Sequence, residues 1–165
     1  KNAKLVMKKT KCDAVKLEGG KKIIPIVKKL VQNKIPVMGH VGILPQTDKK
    51  FSFKGKKQKE SNKILNDTKL LEKAGAFSIV LECIETKLSK KITHNLSIPT
   101  IGIGSSVNCD GQVLVTDDLI GLSKSKFKFV KKYIDMSKII EGAVKKYRVD
   151  VLKKRFPKAK HSFKN

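Results

Sequence analysis

Tryptophan is absent from these 165 residues, aromatics make up only 5%, and Arg148 and Arg155 are the only arginines among 38 basic residues. Nucleic-acid readers lean on Arg for bidentate base contacts, and single-strand binders lean on aromatic stacking platforms. The formal charge of +24 and the pI near 10.1 therefore read first as a lysine-biased solvated surface on an ordinary enzyme. No apolar run is long enough to cross a bilayer. The start at Lys1-Asn2-Ala3 shows neither an initiator Met nor the apolar core of a signal peptide, so a soluble protein with a cut or processed start is expected. Cysteine is scarce as well. Cys12, Cys83 and Cys109 are odd in number and too far apart for a C-x-x-C metal or redox motif. Free thiols at those spacings suit a reducing, cytoplasmic compartment.

What is present is a repeated grammar of short apolar strand followed by helix. The strand Cys12 to Gly19 is broken only by Lys16 before it ends in Glu18 and two glycines, and Lys21 to Asn33 follows with Ile23, Ile24, Val27, Leu30 and Val31 at helical spacing. Pro25 fits the first turn of that helix. Ile35 to Gly42 is a second strand whose exit is marked by glycines around His40. Asp48 to Lys59 is dense in Lys and carries Phe51, Phe53 and Gly55. That composition predicts a mobile surface loop, the local candidate for nucleic-acid contact or for an active-site lid. A helix from Lys63 closes at Gly75, which can supply a left-handed cap. Phe77 to Cys83 is a third strand, apolar almost throughout until Glu82, as buried parallel strands are. Thr86 to Asn95 reads as a helix, Ile98 to Gly104 as a fourth strand, Gln112 to Thr116 as a fifth, and Ser137 to Leu152 as an amphipathic helix with Ser137 at its N-cap.

Five apolar strands, most separated by a helix, imply parallel crossover units. Each strand ends in a polar or glycine-rich cluster: Lys16 with Glu18, His40, Glu82, Gly102 with Gly104, and Asp117 with Asp118. Chemistry gathers at such strand ends in barrels of this type. Five units cannot close an eight-stranded barrel, so the pattern fits either an open doubly wound sheet or a barrel without its first three units. Lys16 and Glu18 lie two apart on one strand and so share a side; by pattern alone they are equally an ion pair or a ligand-facing pair. Glu82 by pattern alone reads as the first solvated residue past a buried strand. Asp117 and Asp118 read as capping or turn residues, and His94 as a surface residue.

Together, Val15-Lys16-Leu17-Glu18-Gly19-Gly20, Gly39-His40-Val41-Gly42 with Pro45-Gln46, Leu81-Glu82-Cys83, Pro99-Thr100-Ile101-Gly102-Ile103-Gly104 and Asp110-Gly111-Gln112-Val113-Leu114-Val115 resemble the ketopantoate hydroxymethyltransferase family, in its order and at compatible spacing. The closing His161-Ser162-Phe163 resembles its C-terminus. The resemblance implies a (β/α)8 TIM barrel, here one partial domain over residues 1–165 holding strands four to eight, with the N-terminal three βα units absent. It also implies transfer of a hydroxymethyl group from 5,10-methylenetetrahydrofolate to 2-oxoisovalerate with Mg²⁺ as the divalent metal, and a homo-oligomer without membrane or nucleic-acid partner.

Residue by residue, the resemblance assigns Glu82 as the general base, Lys16 as a substrate-binding residue, Glu18 as a metal-site carboxylate and His40 as a second-rank substrate contact. The family's two metal-binding aspartates and its substrate-contacting serine lie on the first three strands, with no equivalent here, so the isolated chain is expected to be inactive. Gly104-Ser105-Ser106 stands where the family has a Gly-Ala-Gly run, which is expected to narrow the folate side of the site. Another enolate-forming barrel enzyme and a basic nucleic-acid-binding module are the competing readings.

Overall fold

Val15-Lys16-Leu17-Glu18 alternates apolar with ionisable residues, whereas Ser78-Ile79-Val80-Leu81 is apolar from its second residue, and both lie in one parallel sheet. The computed structural model describes residues 1–48 and 51–163. Its strands are β1 (Val15–Glu18), β2 (Val37–Gly42), β3 (Ser78–Glu82), β4 (Thr100–Ile103) and β5 (Gly111–Gln112). They hydrogen-bond in the order β1-β2-β3-β4-β5, every pair parallel. A doubly wound sheet reverses its strand order at a switch point. This sheet has no reversal, and right-handed crossovers taken in one direction place their helices on one face.

That face is the core. Helices α1 (Asn2–Thr10), α2 (Ile24–Gln32), α3 (Gln58–Lys73) and α4 (Thr86–Asn95) belong to this unit. Val37, Val41, Ile79 and Leu81 from the strands are buried with Val27 of α2, Ile64 and Leu71 of α3, and Leu88 and Ile92 of α4. Leu71 is fully buried, and a Cβ on Gly39 would come 3.1 Å from its Cδ1. Helix and sheet therefore meet closely at that point, and Leu71→Ala would cost about 2–5 kcal/mol through lost burial and the cavity left behind.

The helix ends show where part of the lysine excess sits. After α3, Gly75 takes φ +92, its N–H bonds the Glu72 carbonyl and the Ala76 N–H bonds the Leu71 carbonyl. This is the Schellman arrangement, and Gly75 supplies the left-handed cap its position predicts. The same pair of bonds closes α2, from Lys34 to Val31 and from Ile35 to Leu30, but the left-handed residue there is Lys34, with φ +58.

The chain forms two compact units, Lys1–Val113 and Leu114–Asn165. The second contains a short helix α5 (Thr116–Leu119), a long helix α6 (Met136–Leu152) and a 3-10 turn at Ala159–His161. Leu119 and Ile120 carbonyls accept from the Tyr133 and Met136 amides, which ties α5 to the start of α6.

Several boundaries differ from the sequence expectation. Asn2–Thr10, unassigned by pattern, is helical; it buries no residue, and its Lys4 Nζ donates to Asn33 Oδ1 at 2.8 Å. Helix α3 starts at Gln58 and not at Lys63, because its first turn is polar and is held from upstream: Glu60 accepts from the Gly55 N–H at 2.7 Å and the Ser61 hydroxyl donates to the Gly55 carbonyl at 2.7 Å. The fifth strand is Gly111–Gln112 and not Gln112 to Thr116. Its neighbour β4 turns away at Gly104, where φ is +62, so the ladder ends once the Val113 N–H has reached the Gly102 carbonyl. The N-cap of α6 is Asp135, whose carboxylate accepts from the Lys138 N–H, while Ser137 instead bonds the Gly121 carbonyl. Within the basic stretch from Asp48 to Lys59, Lys49 and Lys50 lie outside the described residues. Lys54 is not free: its amide reaches the Cys83 carbonyl, its carbonyl takes the Glu85 amide, and its ammonium pairs with Asp48 at 3.1 Å.

Candidate active site

Because side chains alternate along a strand and parallel neighbours in register point the same way, the sheet has a second face opposite the helices. Glu18 is registered with His40, and Gly42 with Glu82. Lys16, Glu18, His40 and Glu82 share the parity of that face, and all lie toward the carboxyl ends of β1, β2 and β3. The pattern of apolar residues that packs Leu17, Val41 and Leu81 against the helices thus turns these four the other way.

They form one connected group. Lys16 Nζ lies 3.2 Å from His40 Nδ1 and 4.0 Å from Glu18 Oε1. His40 Nε2 lies 2.9 Å from the Ile43 carbonyl and 3.2 Å from Glu82 Oε2. An ammonium offers only hydrogens, so Nδ1 must present its lone pair to Lys16, and the ring proton sits on Nε2, shared between Ile43 and Glu82. Glu18 is held by the loop after β2, where the Gln46 N–H donates to its Oε2 at 3.1 Å. His40 is 1% exposed, against 46% for the Lys16 side chain. The second-rank histidine of the sequence is therefore the buried centre that joins Lys16 to Glu82. Its sequence signals were the glycines around it and the Gly39-His40-Val41-Gly42 stretch of the family pattern.

The backbone explains the placement of Glu82. Gly42 takes φ +103, and a Cβ there would lie 2.0 Å from the Glu82 carbonyl oxygen, so only glycine lets β2 and β3 come together at this point. The Ile43 N–H donates to that same carbonyl at 2.9 Å. The next residue, Cys83, takes a left-handed φ of +50 and is buried. Burial first, and then the neighbouring Glu82 charge, push its thiol up to about 11.

Sequence reasoning missed the part played by Ser105. Its hydroxyl donates to the Leu81 carbonyl at 2.6 Å and accepts from the Ile84 N–H at 3.1 Å. Ser106 is buried and accepts from the Asn108 N–H. Asp117 and Asp118 fall in the first turn of α5, where Asp118 accepts from the Ser123 hydroxyl, and His94 is exposed. These three are turn and surface residues, as their positions predict. Among the described residues no group of three or more His, Cys, Asp or Glu side chains could enclose a metal ion. Glu18 does offer one hard oxygen donor, which suits Mg²⁺, an ion that binds one or two protein carboxylates and completes its shell with water and substrate oxygens.

A singly wound parallel α/β sheet whose ionisable residues converge beyond the strand ends defines a class of α/β proteins that bind ligands at the carboxyl edge of the sheet. The sequence model of the family described as ketopantoate hydroxymethyltransferase matches residues 1–159, and the chain belongs to that family. It is 60% identical over 162 residues to a 3-methyl-2-oxobutanoate hydroxymethyltransferase of Pelagibacter ubique, covering 98% of this chain and 63% of the relative. Enzymes of the same name from Carboxydothermus hydrogenoformans and Chlorobaculum tepidum are 49% and 47% identical, covering 98% and 99% of this chain and 60% of each relative. The chain thus spans about three-fifths of the length of these curated relatives. No helix among the described residues is long and apolar enough to cross a membrane.

Proposed function

We propose that this chain is the part of a ketopantoate hydroxymethyltransferase barrel that carries strands four to eight, with β1 to β5 in those places. The complete protein transfers a hydroxymethyl group from 5,10-methylenetetrahydrofolate to 2-oxoisovalerate, giving ketopantoate for pantothenate and coenzyme A synthesis. The observation that carries this reading is the hydrogen-bonded run from Lys16 through His40 to Glu82, with Glu18 beside it, on the sheet face that a closed barrel would turn inward.

Bond formation at the carbon beside the ketone requires loss of its proton. Glu82 is the base for that proton: its carboxylate lies at the strand end, 14% exposed, and receives the Nε2–H of His40 on one side. Lys16 has the only cationic head in the group and is the more exposed end of it, so it pairs with the substrate carboxylate or with the enolate oxygen. His40 fixes the spacing between these two functions. Glu18 would supply one oxygen ligand to Mg²⁺, directly or through a water. When bound, the ion draws electron density from the 2-oxo group and so makes the neighbouring proton easier to remove.

The one-carbon donor is then read as a cosubstrate. The three free thiols suit a reducing cytoplasm, and the exposed apolar row of Ile139, Ile140, Val144 and Tyr147 on α6 supports assembly into a homo-oligomer.

The test is ketopantoate formation from 2-oxoisovalerate, 5,10-methylenetetrahydrofolate and Mg²⁺. Two proteins are compared: the 165-residue chain, and the same chain joined to the part of the Pelagibacter relative that lies outside the match. Turnover is expected from the joined protein and not from the chain alone. Glu82→Gln should lower the joined protein's kcat by about 10²- to 10⁴-fold. A joined protein that folds but forms no ketopantoate would overturn the reading.

A further inference from the structure

Helix α3 buries Ile64, Asp67, Thr68 and Leu71, the stripe that its spacing turns to the core, and Asp67 is the one charged residue among them. Packing alone would put an apolar residue there, because a buried carboxylate costs free energy unless it is bonded. Asp67 is only 5% exposed. Its Oδ1 accepts from the Lys21 N–H at 2.9 Å, and its Oδ2 lies 3.4 Å from the Lys63 ammonium, one turn earlier on the same helix. The bond to Lys21 spans 46 positions of sequence. It ends on the backbone just past Glu18.

Lys21 opens a single 3-10 turn, Lys21–Ile23, that leads from β1 into α2. The first amides of a helical turn lack partners within it, and an Asp or Ser at the N-cap normally supplies one. The N-cap here is Gly20, which has no side chain to offer. Nor is there room for one: a Cβ on Gly20 would lie 2.1 Å from Asp67 Oδ2. The cap is therefore supplied by another helix, and glycine is what admits it. On the other side of the turn, the Gly19 N–H bonds the His40 carbonyl at 2.9 Å. The exit of β1 is thus fixed at two points, one on β2 and one on α3, and Glu18 stands directly before them. The Glu18 carboxylate is itself held more lightly, by the Gln46 N–H at 3.1 Å and by Lys16 at 4.0 Å. Its aim depends on where the backbone leaves the strand.

We propose that Asp67 is a positioning residue for Glu18: reaching from α3, its carboxylate caps the turn after β1 and so fixes the direction in which Glu18 presents its oxygens to a divalent cation. This rests on the reading of Glu18 as the metal-site carboxylate. Asp67 touches neither the cation nor the substrate. An amide at 67 keeps a carbonyl oxygen for the Lys21 N–H, whereas a methyl group does not.

Two measurements test the cap. In the 165-residue chain, Asp67→Ala should speed amide exchange at Lys21 and move the Gln46 amide resonance toward its position in Glu18→Ala, where that amide has lost its acceptor. Asp67→Asn should leave both near their original values. In the joined protein, with Mn²⁺ as the probe and free ion followed by electron paramagnetic resonance, Asp67→Ala should raise the Kd about tenfold, as loss of an outer support of a metal ligand does. Asp67→Asn should stay within about twofold. In a Glu18→Ala background, Asp67→Ala should add nothing further, since the two act as one unit. A merely structural role would weaken Mn²⁺ binding by the same factor in both backgrounds. That result, an unchanged Kd in Asp67→Ala, or an unmoved Gln46 amide overturns the proposal. Asp67→Ser, whose hydroxyl stops one atom short of the carboxylate oxygens, reads the same signals if Asp67→Ala does not fold. If Glu18→Ala alone leaves the Mn²⁺ Kd unchanged, the reading of Glu18 as a metal-site carboxylate falls instead, and the Gln46 amide then decides whether Asp67 aims Glu18.

Discussion

His40 and Glu82 face one another from adjacent parallel strands, with Nε2 3.2 Å from Oε2 and the imidazole buried to 1% exposure. The same ring turns its other nitrogen to Lys16. One neutral side chain therefore separates a cation from an anion and bonds to both, and the consequences can be measured.

The bonding partners assign His40 to the tautomer with its proton on Nε2. Nitrogen-15 NMR of the chain at neutral pH should show a pyridine-like Nδ1 and a pyrrole-like Nε2 for this residue. Lys16→Met should free Nδ1 and shift its resonance, with Nε2 held in place by Ile43 and Glu82. The opposite tautomer in the unsubstituted chain would contradict the arrangement.

Lys34→Gly should stabilise the protein by about 1 kcal/mol, because the left-handed position at the end of α2 costs a lysine what it does not cost a glycine. Gly75→Lys, at the matching place after α3, should destabilise it by at least as much. A Cβ there would lie 2.8 Å from Val31 Cγ1. Urea midpoints of the two variants check both signs.

Asp110 is held below the ordinary carboxylate range, chiefly by the Thr100 amide and, against the cost of burial, by the Thr100 hydroxyl. A folded-state value below the unfolded one means that the stability it contributes is complete above the unfolded pKa, near 4, and is lost as pH falls through the folded value. Asp110→Asn should thus be less stable at pH 7 and flatter with pH on the acid side. Parallel pH profiles of the two proteins below pH 4 would refute this.

Cys83 and Cys109 are buried, while Cys12 is half-exposed, and the Cys83 thiol is pushed up to about 11. Iodoacetamide at pH 8 should modify Cys12 first and reach Cys83 only after unfolding, since the thiolate is the nucleophile. Peptide mapping of the alkylated chain gives the order, and early modification of Cys83 would contradict its burial.

Much of the fold was legible because burial leaves periodic marks. The apolar runs at Val37, Ile79 and Leu81 and the helical spacing of Ile64, Leu71, Leu88 and Ile92 placed the strands and helices. The glycine after α3 marked its end. Lys16, Glu18, His40 and Glu82 were legible as strand-end residues of one family pattern. Where the signal was absent, so was the reading. The first turn of α3 is polar and owes its shape to Gly55. The left-handed residues Lys34, after α2, and Cys83, after β3, are not glycines that would announce them.

The sequence by itself determined the alternation of strand and helix, and which residues each strand turns away from the helices, since both follow from local periodicity and from the two-residue repeat of a strand. Only the tertiary structure decided that His40 joins Lys16 to Glu82 and that Ser105 reaches back to brace the turn after Glu82. Those bonds join residues 24, 42 and more than 20 positions apart. They depend on strand register and on the left-handed turn at Cys83, and no local pattern encodes either.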